Sequence, residues 1–229
     1  NTNIKKILFG SLFLMSFFSK AQIDFRSTEF GLVAGGTYSR VKNAHNPSGP
    51  RFSVLGGITA QVPIGVAEQF YIQAEALYFG AGEGGDKTYE KAKGWDHAVY
   101  ASNYLSVPIN FKAYFSEAES EFFGLIGPRF NFLIDQKVKN PAKVSYREET
   151  FGKANSFNFG LGAGIGFSYK RQLEMALKYD IGLSDAFPDL KNSPEEIATL
   201  DANVAMKKTE QVISLGVTYF FGLILKNSW

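Results

Sequence analysis

Three stretches of this 229-residue chain carry residue types whose spacing invites chemistry. The first is Gly80–Thr88, GAGEGGDKT, which nearly matches a phosphate-binding loop. Such a loop needs backbone amides that cradle phosphates and a lysine directly after the last glycine, at the start of a helix. Here Asp86 stands between Gly85 and Lys87, which would put a carboxylate beside the phosphates, and no helical pattern follows. The stretch reads as a solvated, flexible loop. The second comprises His45 and His97, the only histidines. With Ser48 or Asp96 they suggest a hydrolytic or acyl-transfer scheme, but neighbours in a loop rarely make a triad, and two histidines make no typical zinc site without carboxylates. Cysteine is absent, which excludes disulfides, thiolate metal sites and a thiol nucleophile. These residues point to no catalysis, no cofactor and no metal.

The third stretch is SFNFGLGAGIGFSYK, Ser156–Lys170. A dinucleotide fingerprint requires G-x-G-x-x-G between a strand and a helix. Gly160, Gly162, Gly164 and Gly166 instead recur at every second position, with Leu161, Ala163 and Ile165 between them, so one face of a strand is bare and the other greasy.

The same period returns along the chain. Eight segments alternate, beginning near Glu29, Phe52, Phe70, Tyr104, Phe122, Phe157, Leu173 and Glu210. YLSVPINFKAYF is the cleanest, with Leu105, Val107, Ile109, Phe111, Ala113 and Phe115 opposed to Tyr104, Ser106, Pro108, Asn110, Lys112 and Tyr114. Soluble sandwiches also alternate. Two features favour a bilayer: the apolar face ends in rings (Phe30, Phe70, Phe115, Phe122, Tyr169 and Phe221 at one level, Tyr38, Phe52, Tyr78, Phe132 and Phe157 at the other), and the linkers alternate long and short. The expected fold is all-β, an eight-stranded antiparallel up-and-down transmembrane β-barrel.

Export fits that location. Lys5 and Lys6 precede the apolar run Ile7–Phe18, and Ser19-Lys20-Ala21 offers a cleavage site, so residues 1–21 read as a signal peptide and residues 22–229 as the barrel domain. Removing Lys5, Lys6 and Lys20 turns the formal charge from +2 to −1, which leaves no footprint for nucleic acid.

An eight-stranded lumen is filled by side chains. Bare glycines inside it would leave room for a network of Glu29, Glu75, Glu174 and Asp180 with Lys112, Arg129 and Lys178, since buried charges must pair or stay hydrated. Outside, the third long loop is basic. Its Lys137, Lys139, Lys143 and Arg147 suit lipopolysaccharide phosphates, although a merely solvated loop has the same composition. Ser193-Pro194-Glu195-Glu196 reads as a helix start in the fourth. The chemistry therefore favours a structural or interaction barrel that meets a protein partner or lipid headgroups through its loops. A small-solute channel is the alternative, and a rim enzyme, an acyltransferase or protease, is the third reading.

At Tyr104, Leu105 and Pro108 the chain resembles the PorT-like outer-membrane β-barrel family, in which a strand opens on Tyr-Leu and carries a central proline. The Gly127-Pro128 strand, NFGLGAGIGFSY and VISLGVTYFF extend the likeness from Phe25 to Phe221. The resemblance implies an outer-membrane location and, for some members, a tie to protein export. Many such barrels end on the aromatic residue of the last strand, whereas Phe221 is followed here by GLILKNSW. Either the last strand continues through Leu223 and Leu225 or a tail ends at Trp229.

Overall fold

Alternating side chains fold as strands because each pleat sends neighbours to opposite faces. The computed structural model describes residues 23–44, 47–141, 152–190 and 207–221. The expected signal peptide, the Ser193 helix start and Trp229 lie outside them. The described strands are β1 (Glu29–Lys42), β2 (Ser48–Gly49), β3 (Arg51–Ile64), β4 (Phe70–Gly85), β5 (Val99–Tyr114), β6 (Ser120–Lys139), β7 (Phe157–Tyr169), β8 (Leu173–Gly182) and β9 (Thr209–Phe220). All but the two-residue β2 run antiparallel to both neighbours. Pairing of β4 with β5 and of β1 with β9 closes them into an eight-stranded barrel.

The registers set its dimensions. Following cross-strand partners from Val62 through Ile72, Phe111, Ile126, Ala163, Tyr179, Ile213 and Tyr38 returns to β3 at Phe52, ten residues from the start. That stagger over eight strands implies a tilt of about 41° and a backbone radius of about 8 Å, so side chains alone fill the interior. Every residue on this path is apolar and points outward, as lipid contact requires. Ile126 is 61 % exposed and Phe52 72 %. Outward rings meet across strands at both ends of the band, Tyr38 with Phe52 and Phe132 with Phe157 at one, Phe70 with Phe111 and Phe122 with Phe167 at the other. Phe122 and Phe132 lie ten residues apart on β6. At this tilt the apolar band is about 25 Å tall, the height of an outer-membrane hydrocarbon layer. The fold is therefore that of a transmembrane β-barrel.

Short turns close one end, at residues 65–69, 115–119 and 170–172. In the last, Lys170 and Arg171 both adopt the left-handed backbone (φ 55° and 50°) at the centre of a turn closed by the Gln172 amide donating to the Tyr169 carbonyl at 3.0 Å, without glycine's help. Just before β1, Asp24 caps the short 3-10 helix Phe25–Ser27. Hydrogen bonds from the Ser27 hydroxyl and the Arg26 amide hold its carboxyl below the ordinary value. At the opposite end the long connections pack together. Val41, Ala44, Ala98, Tyr100, Ala154, Ala186, Phe187 and Leu190 form a small apolar core over the mouth.

One expectation is overturned here. Gly80–Gly85 is not a flexible loop but the continuation of β4, buried throughout, and a helix does follow, α1 (Lys87–Lys93). Helical pattern was hard to see because seven residues hold fewer than two turns. The stretch still does not cradle phosphate, since the Asp86 side chain caps α1 by accepting from the Tyr89 amide at 2.7 Å. At the other terminus, pairing continues one residue past β9, where the Phe221 amide donates to the Phe30 carbonyl at 2.8 Å.

Candidate functional site

The lumen is stacked in layers, each supplied by inward positions of several strands. At the short-turn end Arg171 reaches under the barrel from its left-handed turn. Its Nε donates to Glu121 Oε1 at 2.6 Å, its fork donates to the Glu68 carbonyl and the Tyr71 hydroxyl, and its guanidinium lies 4.1 Å from the Tyr114 ring centroid. Beside it in the turn, Lys170 pairs with Glu119 at 3.0 Å, and that carboxylate raises the ammonium above its ordinary value. Above, Lys112 is wholly buried and is paired with Glu174. It also donates to Gln61 Oε1 at 2.7 Å and faces the Tyr114 and Phe123 rings at 4.7 and 4.4 Å. The Tyr114 hydroxyl completes Glu174 at 2.6 Å, and Gln61 donates onward to Glu29 at 3.1 Å.

The middle layer is looser. Glu75 accepts from Gln73 at 3.3 Å, while Lys178 makes no hydrogen bond or ion pair among the described residues. Both line a cavity of about 40 Å³ with Gln73, Glu174 and Ser214. That volume admits two or three waters, enough to hydrate the two charges without a direct contact. Next, Arg129 grips Asp180 with both arms, Nε to Oδ1 and Nη2 to Oδ2, each at 2.9 Å. It donates to Ser106 through Nη1 and stacks 4.2 Å from the Phe79 centroid. This layer separates the 40 Å³ cavity from a second of about 20 Å³ below the cap. Higher still, the Tyr104 hydroxyl donates to Glu210 at 2.8 Å, and Arg51, Asn103 and Asp135 form a chain across the rim.

The seven expected lumen charges thus all face inward, but they divide into groups. Lys112–Glu174 and Arg129–Asp180 are direct pairs, Glu29 joins through Gln61, and Glu75 and Lys178 face a cavity. The glycine face of β7 lies against them. A Cβ on Gly162 would enter the Asp180 carboxylate, one on Gly164 would come 2.6 Å from the Lys178 stem and the Leu177 carbonyl, and one on Gly166 would enter the Phe123 ring. Gln61, Ser106, Tyr114 and Arg171 join these charges as partners beyond the expected seven. The first three sit at inward positions, so parity alone marked them, whereas nothing in the sequence shows a turn arginine folding back beneath the barrel.

Outside the bilayer, Lys137 pairs with Asp135 at 3.2 Å and Lys139 is exposed opposite Val99, while Lys143 and Arg147 lie outside the described residues. His97 is held by Glu90, Nδ1 to Oε2 at 2.7 Å, and no nucleophile contacts it among the described residues. His45 is not described.

Among solved structures the fold is similar to the attachment invasion locus protein Ail of Yersinia pestis (12% identity, 85% of this chain and 99% of that one, TM-score 0.41) and to Neisserial surface protein A (11%, 86% and 98%, 0.46). It is also similar to the outer membrane enzyme PagL (12%, 82% and 98%, 0.40). No curated protein sequence matches the chain. The profile of the outer membrane protein beta-barrel domain matches residues 19–188, most of the sequence, and the chain belongs to that family.

Proposed function

We propose that this barrel is a non-enzymatic interaction protein, sealed along its axis, whose basic residues above the upper aromatic girdle hold lipopolysaccharide phosphates. The observation that carries this reading is where the outward cations stand. Arg40 and Lys42 follow Tyr38 on β1, Lys137 and Lys139 follow Phe132 on β6, and all four are exposed. At the strand tilt, Arg40 lies about 5 Å above the girdle and Lys139 about 17 Å, which spans the phosphate-bearing layer of an outer leaflet.

The interior favours a sealed scaffold over a channel. Among the described residues the Arg129–Asp180 layer stands between two small cavities, and apolar residues of the loop end pack above them, which supports a closed lumen. A PorT-like subtype, with a tie to protein export and an unidentified protein partner, is supported by Tyr104, Leu105 and Pro108. Of these, Tyr104 is fully buried on Glu210 and Leu105 faces lipid.

The test is co-purification. The barrel extracted in mild detergent should carry lipopolysaccharide phosphate, and changing Arg40, Lys42, Lys137 and Lys139 to glutamine should lower it severalfold in a salt-sensitive way. Unchanged phosphate per barrel would sink the proposal, and steady ohmic conductance in planar bilayers would establish the channel instead.

A further inference from the structure

The helix α1 is too short to be stable alone, yet it is held from three sides. Asp86 caps its start, Gly94 (φ 70°) ends it in the left-handed conformation, and the Trp95 amide returns to the Glu90 carbonyl at 2.9 Å. Its single buried side chain, Glu90, accepts from the Ala98 amide at 2.9 Å and binds His97. It also occupies the space that a Cβ on Gly85 would need. Asn140, just past β6, donates to the His97 carbonyl at 3.1 Å, which ties the helix to the next hairpin.

None of these anchors uses the aromatic side chains of the segment. Tyr89 and Trp95 stand edge to face, centroids 5.9 Å apart, each more than a third exposed. The Lys93 ammonium, one turn on from Tyr89, is 5.7 Å from its ring centroid, and Asp96, next to Trp95 in the chain, is exposed, while Lys87 and Lys91, two residues either side of Tyr89, leave the helix on another face. This is a preorganised surface of indole and phenol rings beside one ammonium donor and an exposed carboxylate.

We propose that Trp95, Tyr89, Lys93 and Asp96 form a binding platform for a phosphorylated saccharide of the lipopolysaccharide core. Ring faces stack on the C–H face of a pyranose, the Asp96 carboxylate accepts from its hydroxyls, and the Lys93 ammonium takes the phosphate. Height fits the phosphorylated sugars at the top of that layer: β4 runs seven residues past Tyr78 before α1 begins, which sets the platform about 17 Å above the girdle, level with Lys139. The inference rests on the reading that the loop end meets lipopolysaccharide, and extends it from the phosphates to the sugars that carry them at the upper edge of that layer.

The whole barrel, folded in detergent with Trp229→Phe so that Trp95 is the remaining tryptophan, is titrated with deacylated phosphorylated core oligosaccharide while tryptophan emission is followed. A saturable change is expected. Its Kd should rise about tenfold in Lys93→Gln and with phosphatase-treated saccharide, and the affinity should fall with salt. Calorimetry on Trp95→Ala should show no binding, with heat-modifiable gel mobility unchanged because no anchor is touched. Equal affinity for either variant or for dephosphorylated sugar overturns the proposal, as does tighter binding of a sulfated glycosaminoglycan fragment. The soluble saccharide has no lipid headgroup, so retained titration alongside lost lipopolysaccharide co-purification in the Arg40, Lys42, Lys137 and Lys139 variant would sink the earlier reading alone.

Discussion

Gly162→Ala and Gly56→Ala are the same chemical change on opposite faces of one barrel wall, and the structure gives them opposite signs. Gly56 faces lipid on β3, and an added Cβ would meet nothing nearer than the Val33 carbonyl oxygen at 3.6 Å. Neither glycine has a left-handed φ. At Gly56 the substitution therefore only narrows the unfolded ensemble and should stabilise the barrel by about 0.4–1 kcal/mol. At Gly162 the Cβ enters the Asp180 carboxylate, with Asp180 Cγ at 2.9 Å. Asp180 cannot swing away freely, because both of its oxygens are held by Arg129 and both partners are buried. Breaking such a pair costs about 3–5 kcal/mol, so the net loss should be about 2–4 kcal/mol after the entropic gain. Urea unfolding in detergent micelles, read by loss of the heat-modifiable folded band, measures both. Asp180→Ala supplies the decisive control. If Gly162→Ala acts by displacing that carboxylate, it should add little in an Asp180→Ala background, a coupling of about 2 kcal/mol or more. Additive effects, or equal shifts for Gly56→Ala and Gly162→Ala, would refute the account of the glycine face.

Two further substitutions probe the wall and the short-turn end. Ile126→Lys places a charge near the middle of the band at an outward position and should destabilise the folded barrel by about 2–4 kcal/mol in bilayers, as refolding yield against urea would show. Arg171→Ala removes the contacts with Glu121, Glu68 and Tyr71 together and leaves the buried Glu121 without its cation, so a loss of about 2–4 kcal/mol is expected in the same unfolding assay. A smaller loss with Arg171→Lys would show that charge matters more than the planar fork, against the geometry seen here.

The amino-acid sequence by itself determined which face of each strand meets lipid. Period two is a local property, and closing eight alternating segments turns it directly into a greasy wall and a polar lumen. It also marked where the turns are brief, because charged and small residues interrupt the alternation there. Local pattern did not determine who meets whom inside. Lys112 reaches Glu174 across 62 residues of chain and Arg129 reaches Asp180 across 51. Those choices depend on height and direction around the axis, which follow from the ten-residue stagger of the closed sheet and are invisible to parity. The same holds for Lys178, an inward cation like the others, which ends beside a cavity instead of a carboxylate. α1 escaped for a different reason. Its seven residues are stabilised by Asp86, Gly94 and a carboxylate locked onto His97 and Ala98, contacts that exist only once β4 and β5 have risen side by side above the membrane.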